Sequence, residues 1–152
     1  MGHLSVAREW NELGDLGEVR LMCGLGRIIC AWGTLEQRLE AKIADLRATT
    51  GDVRILGGRA KPSVARLMGE LRAMISMRDR RNATALKEIA QLEGDIQRID
   101  RFRGLVIFGF VGPDPDGFAC RDAKNNVVLV SIDQLDGETQ RLDAIGERLL
   151  AL

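Results

Sequence analysis

The residues able to do covalent or metal chemistry are few in this sequence, and their spacing is unhelpful to them. The only histidine is His3, two residues from the start, where chains are usually loose, so a Ser-His-Asp or Cys-His arrangement would have to recruit a terminal side chain. The Glu-x-x-His pair that ferritin-like bundles use for two iron ions is absent. Cys23, Cys30 and Cys120 are the three cysteines. They form no C-x-x-C, and Cys23 and Cys30 stand one heptad apart, roughly 10 Å along a helix axis, too far to bridge. Reduced thiols buried as small hydrophobes are the expectation, in a cytoplasmic protein. Glu36 and Glu40 share a helix face, a spacing typical of solvated surface. Gly24-Leu-Gly26 lacks the third glycine and the preceding strand of a dinucleotide loop, and no Walker sequence occurs. Asp114-Pro-Asp116-Gly117 resembles the start of a calcium loop without its later ligands, and reads as a turn. The sequence thus predicts no catalytic residue, no metal and no cofactor.

What remains is recognition by surface. Aromatic residues make up 4% of the chain and tyrosine is missing, which leaves few platforms for stacking bases. Trp32, Met68, Met74 and Met77 are expected to fill core. Lys and Arg together number 22, as do Asp and Glu, so no global field favours a polyanion. The charges are unevenly divided, however. Arg54 to Arg81 holds eight basic residues against Glu70 and Asp79, whereas residues 104–152 hold four basic against eight acidic. The basic segment, with Arg78, Arg80 and Arg81 at its end, is a candidate for binding RNA or DNA, for head-to-tail pairing, or for plain solvation.

These side chains need elements to position them. Ser5 to Leu13 reads as a short leading helix or a flexible arm, ended by Gly14. Asp15-Leu-Gly-Glu18 has the form of a capping box. Behind it Leu25, Ile28, Ile29, Trp32, Leu35, Leu39, Ile43 and Leu46 trace one stripe of a helix about 30 residues long. Gly24, Gly26 and Gly33 interrupt it, marking a close contact or a bend. Thr49 to Lys61 reads as a linker, with Pro62 in the first turn of a helix carrying Val64, Leu67, Met68, Leu71, Met74 and Ile75. A third helix starts near Asn82, buries Leu86, Ile89, Leu92, Ile96, Ile99 and Phe102, and continues into Leu105 and Val106. Gly112 to Gly117 is turn chemistry. Phe118–Arg121 and Val127–Val130 flank a polar turn as a β-hairpin. Ser131-Ile-Asp-Gln134 caps a last helix striped by Ile132, Leu135, Leu142, Ile145 and Leu149. The expected fold is mainly α, one domain over residues 1–152: an antiparallel bundle of four main helices with a short β-hairpin before the last. No apolar run approaches a membrane span, and MGHLSVAREW is too polar for a signal peptide.

This order of elements, with Arg101-Phe-Arg103-Gly-Leu-Val-Ile-Phe108-Gly109 near the end of the third helix and Trp32-Gly-Thr-Leu-Glu36 in the first, resembles the HEPN helical-bundle superfamily. The resemblance aligns Arg103 with the arginine of the ribonuclease motif, Gly104 with its usual polar residue and Phe108 with its histidine. Phenylalanine can neither transfer a proton nor support charge, so the resemblance implies a bundle without the cleavage chemistry. It also implies dimerisation around the motif, with Phe108, Phe110 and Val111 as the apolar interface. The alternative is that Leu105, Val106, Phe108 and Phe110 close the core above the hairpin.

The resulting expectation is a non-catalytic, cytoplasmic, prokaryotic protein–protein interaction module that forms a homodimer. Its partner would be another protein, such as a nuclease or toxin complex that it blocks in the manner of a defence-related inhibitor or an antitoxin, with Arg78, Arg80, Arg81, Arg101 and Arg103 as contact residues. Nucleic-acid binding through Arg54–Arg81 is the second class, and an HEPN-type ribonuclease centred on Arg101 and Arg103 the third.

Overall fold

The computed structural model describes residues 2–50, 61–78 and 81–152, without the side chains of residues 2–16 and 50. The fold is mainly α. Helices α1 (Gly2–Thr50), α2 (Val64–Arg78) and α3 (Ala83–Phe108) are followed by strands β1 (Phe110–Asp114), β2 (Gly117–Arg121) and β3 (Val127–Ser131), and then by α4 (Ile132–Leu150). The helix break expected at Gly14 does not form, and no new helix starts at Asp15: α1 runs through both. A glycine weakens a helix by about 1 kcal/mol without removing a backbone hydrogen bond, so it need not end one. Of the expected linker, residues 51–60 lie outside the described ones, and Thr49 is still helical.

The later helix starts follow from side-chain caps. Ser63 Oγ accepts the Arg66 N–H at 3.2 Å, which puts Pro62 ahead of the cap rather than in the first turn. Asn82 Oδ1 accepts the Ala85 N–H at 3.1 Å, and Ser131 Oγ accepts the Gln134 N–H at 3.0 Å. Each cap satisfies a donor that the helix itself cannot.

The sheet has one strand more than the expected hairpin. The strands lie in the order β1-β2-β3, all antiparallel. Gly112 and Pro113, read as turn residues, belong to β1. A proline costs no ladder bond on an edge strand, and β1 is an edge. The register slips between Phe110 and Gly112, leaving Val111 in a bulge. In the β2–β3 turn, Asp122 Oδ1 accepts the N–H groups of Lys124 at 2.9 Å and Asn126 at 2.8 Å, and Asn125 takes φ 66°.

The chain divides into two compact units, one formed by the residues up to Ala31 with Arg98–Leu142, the other by Trp32–Gln97 with Asp143–Leu152. In the first, Leu21, Ile28, Val106, Phe118, Cys120, Val130 and Leu135 form the core. At Gly24 a Cβ would stand 2.7 Å from Leu135 Cδ2, so a larger residue would have to displace that buried side chain; Gly26 and Gly33 meet nothing within 4 Å. In the second unit, Leu35, Leu39, Ile43, Leu67, Met68, Leu71, Ile89, Leu92 and Leu149 are among the buried side chains.

Six side chains depart from their expected burial. Ile29 is exposed, because it lies about 100° round the helix from buried Ile28. Cys23 and Cys30 are exposed rather than buried, and neither is in a disulfide; each stands two positions past an inward residue (Leu21, Ile28) and so on the opposite face. Met77 is 79% exposed, two positions past Ile75. Leu86 and Phe102 are only half-buried. Cys120 and Trp32 are buried as expected.

Candidate interaction surface

The ends of α3 and β2 meet in the first unit. The Arg121 N–H donates to the Gly109 carbonyl at 2.7 Å, and the Gly109 N–H closes the last α3 turn on the Leu105 carbonyl at 3.0 Å. A side chain at 109 would strike the carbonyls of Arg121 and Leu105, so glycine is what lets the strand approach this closely. Immediately before it Phe108 points away from the core and is 84% exposed. Closure of the core by Phe108 is therefore not what the chain does; Val106 takes that place at 1% exposure. Phe110, half-buried, packs on Phe118 with ring centroids 5.8 Å apart. Val111, in the bulge, is exposed.

Beside Phe108 lies a groove of about 670 Å³ lined by Arg101, Phe102, Leu105, Phe108, Arg121 and Asp122, with Gly104, Gly109 and Ala123. Arg121 hydrogen-bonds Asn125 through its carbonyl and its Oδ1 at 3.4 and 3.3 Å. Neither Arg101 nor Arg121 forms an ion pair among the described residues. Arg103 is not in the lining: half-buried, it donates to Asp100 Oδ1 through Nη2 at 3.0 Å. The structure thus brings together Arg101 and Phe108 and sets Arg103, Phe110 and Val111 outside the groove.

The outer face of the sheet adds to this surface. Register places Ala119 opposite Leu129 and Arg121 opposite Val127. Leu129 is 63% exposed and Val127 58%. Neither stood out in the sequence, because Val-Val-Leu-Val is apolar at every position and offers no alternation to separate the open face from the buried one. Arg121, read only as the end of a strand, was legible as a basic residue but not as a neighbour of the α3 terminus. A second apolar surface lies on α1, where Val19, Met22 and Ile29 are exposed with Cys23 and Cys30. From Val19 to Cys30 the only charged residues are Arg20 and Arg27, drawn to Asp133 at 4.0 Å and Asp136 at 3.8 Å.

The remaining basic candidates belong to the second unit. Arg78 lines a separate cavity of about 410 Å³ with Glu88 and Arg148, and Arg81 is exposed; Arg80 lies outside the described residues, as do Arg54 and Arg59. Lys61 pairs with Glu36 at 2.8 Å, and this hydrogen bond raises its pKa; Arg72 pairs with Glu93 at 3.3 Å. Part of the basic segment's charge is thereby met within the chain.

Glu138 is a buried carboxylate in the first unit, with Arg141 on Oε1 at 2.6 Å and no partner on Oε2. Burial pushes the Cys120 thiol pKa up, away from the thiolate that nucleophilic or metal chemistry needs. Among the described residues no group of three or more His, Cys, Asp or Glu side chains could hold a metal ion, and no helix is long and apolar enough to cross a membrane. No protein-family model matches the chain, and neither a curated protein nor a solved structure shows significant similarity to it.

Proposed function

We propose that this chain is a protein-interaction module that works by occupying a partner's surface rather than by catalysis, and that its first unit makes the contact. The observation that carries the reading is Phe108. A phenylalanine 84% exposed at a helix end, beside a groove and near an open apolar sheet face, is the kind of side chain that anchors an interface. Val111, Val127 and Leu129 extend the same apolar character in that unit. The apolar exposures of α1, Val19, Met22 and Ile29, offer a second copy a hydrophobic face to pair with. The HEPN resemblance, with Phe108 in the histidine position, supports a bundle turned from RNA cleavage to contact, and a nuclease or toxin complex as its target.

Affinity capture from native-host lysate, with and without nuclease treatment, tests this. The wild type should hold one stoichiometric protein after nuclease, and Phe108→Ser should lose it while keeping its circular dichroism spectrum. Retention by Phe108→Ser, or loss of all captured material on nuclease treatment, would overturn the reading. The second outcome would move the function to nucleic acid.

A further inference from the structure

We infer that the groove between the end of α3 and the β2–β3 turn receives an acidic, apolar peptide segment of the partner protein; the inference rests on the interaction reading above and specifies its chemistry. The lining combines two kinds of group. Phe102, Leu105 and Phe108 supply an apolar wall, which takes a partner's aliphatic or aromatic side chain. Arg101 from α3 and Arg121 from β2 supply two guanidinium groups that meet no carboxylate among the described residues. The one carboxylate in the lining, Asp122, already has Oδ1 on two turn N–H groups. The lining carries two guanidinium charges against the one carboxylate, and carboxylates flanking an apolar residue would supply the balance. Guanidinium suits this task, since its planar fork grips a carboxylate with two parallel bonds.

Charge also decides against the other occupants. Groove-to-groove pairing of two copies about a two-fold axis would bring the same two arginines of each copy into one interface, a like-charge juxtaposition. A nucleic acid would need a wider cationic footprint than two arginines, and residues 104–152 as a whole carry four basic against eight acidic side chains. A short segment with local acidity meets the arginines without confronting that wider field.

The test is selection of random peptides displayed on phage against the full chain, repeated against the Arg101→Glu/Arg121→Glu double variant. Both positions are exposed, and circular dichroism checks that the fold is kept. The wild type should enrich peptides with Asp or Glu flanking Leu, Ile or Phe. A synthetic peptide of the enriched sequence should bind the double variant at least roughly tenfold more weakly. The variant should in turn select Lys or Arg at the flanking positions. Enrichment of apolar peptides without acidic residues, or acidic peptides whose binding the double variant keeps, would overturn the inference. So would failure to enrich any peptide, or a fluorescein-labelled single-stranded RNA that the wild type binds in place of acidic peptides and the variant does not. Lysate capture separates the two readings: a partner lost on Phe108→Ser but kept by the double variant leaves the interaction module standing and removes its acidic segment.

Discussion

The two units of this chain treat their surfaces in opposite ways. In the second, cations are matched to carboxylates from other parts of the chain: Arg47 to Glu70 at 3.0 Å, Lys61 to Glu36, Arg72 to Glu93, Arg38 to Glu147 at 3.4 Å, and Arg148 to both Glu88 and Asp95. In the first, the described ion pairs are either local on one helix, as for Arg103–Asp100 and Arg141–Glu138, or loose, as for Arg20–Asp133. The apolar exposures run the other way. Among the described residues, Val19, Met22, Ile29, Phe108, Val111, Val127 and Leu129 of the large exposed apolar side chains belong to the first unit, and only Met77 and Leu150 to the second. The second unit, among the described residues, meets more of its charge internally and the first exposes more apolar surface.

That contrast can be broken from the inside outward. The largest effect should come from Phe118→Ala, which empties the centre of the first unit's core; a loss of about 3–5 kcal/mol in urea unfolding is expected. Leu92→Ala in the second unit should cost about 2–5 kcal/mol by the same measurement. A cost below about 1 kcal/mol for Phe118→Ala would mean that the first unit lacks a packed core and that its exposed residues reflect looseness. Next comes Gly117→Ala. With φ 156° and a Cβ that would strike the Val130 carbonyl, it should cost about 1–3 kcal/mol, and an unchanged urea midpoint would contradict the β2–β3 register.

Arg148→Ala tests the charge matching of the second unit. Arg148 donates to Glu88 at 2.8 Å and Asp95 at 3.2 Å, and these bonds hold its pKa above the ordinary value, the Glu88 bond most. Its side chain is 37% exposed, so screening limits the expected loss to about 1 kcal/mol, shrinking further in high salt.

A pH series sharpens the contrast from the side of the first unit. Burial raises the folded-state pKa of Cys120 above its unfolded value. The folded state then holds the thiol proton more tightly, so the contribution is complete below the unfolded pKa of about 8.5 and is lost as pH rises through the folded value. Stability should fall on that alkaline side, and Cys120→Val should flatten the fall; an identical slope in the variant would remove Cys120 as its source. The smallest thermodynamic effect belongs to Leu129→Lys, within about 0.5 kcal/mol of wild type, because its side chain is already in water.

Most of this architecture was legible because stripes of Leu, Ile and Val at helical spacing leave little choice of inward face, and because Ser131 and Asn82 mark helix starts chemically. Sequence and structure part company where periodicity is ambiguous or a rule has exceptions. Ile28-Ile29 offers two adjacent apolar residues and only one can face inward. Gly14 looked like a stop but has no power to force one. Gly112-Pro113 looked like a turn, although an edge strand accepts both. In the candidate site, Arg101 and Phe108 are visible seven positions apart, two turns along one helix face. Arg121 is not, since its place beside them depends on the bond from its N–H to Gly109 across a separation no local pattern encodes.

Strand β3 has a consequence for the chain's behaviour when crowded. It forms one edge of the sheet, and Val127-Val128-Leu129-Val130 contains neither charge nor proline, whereas the opposite edge is blunted by Pro113. A run of this kind is a template for intermolecular strand growth once the first unit loosens. Shaken at high concentration, the wild type should develop thioflavin fluorescence sooner than Leu129→Lys, whose single charge would act as a gatekeeper. A partner that covers this side of the molecule would then serve also as its protection against fibrils.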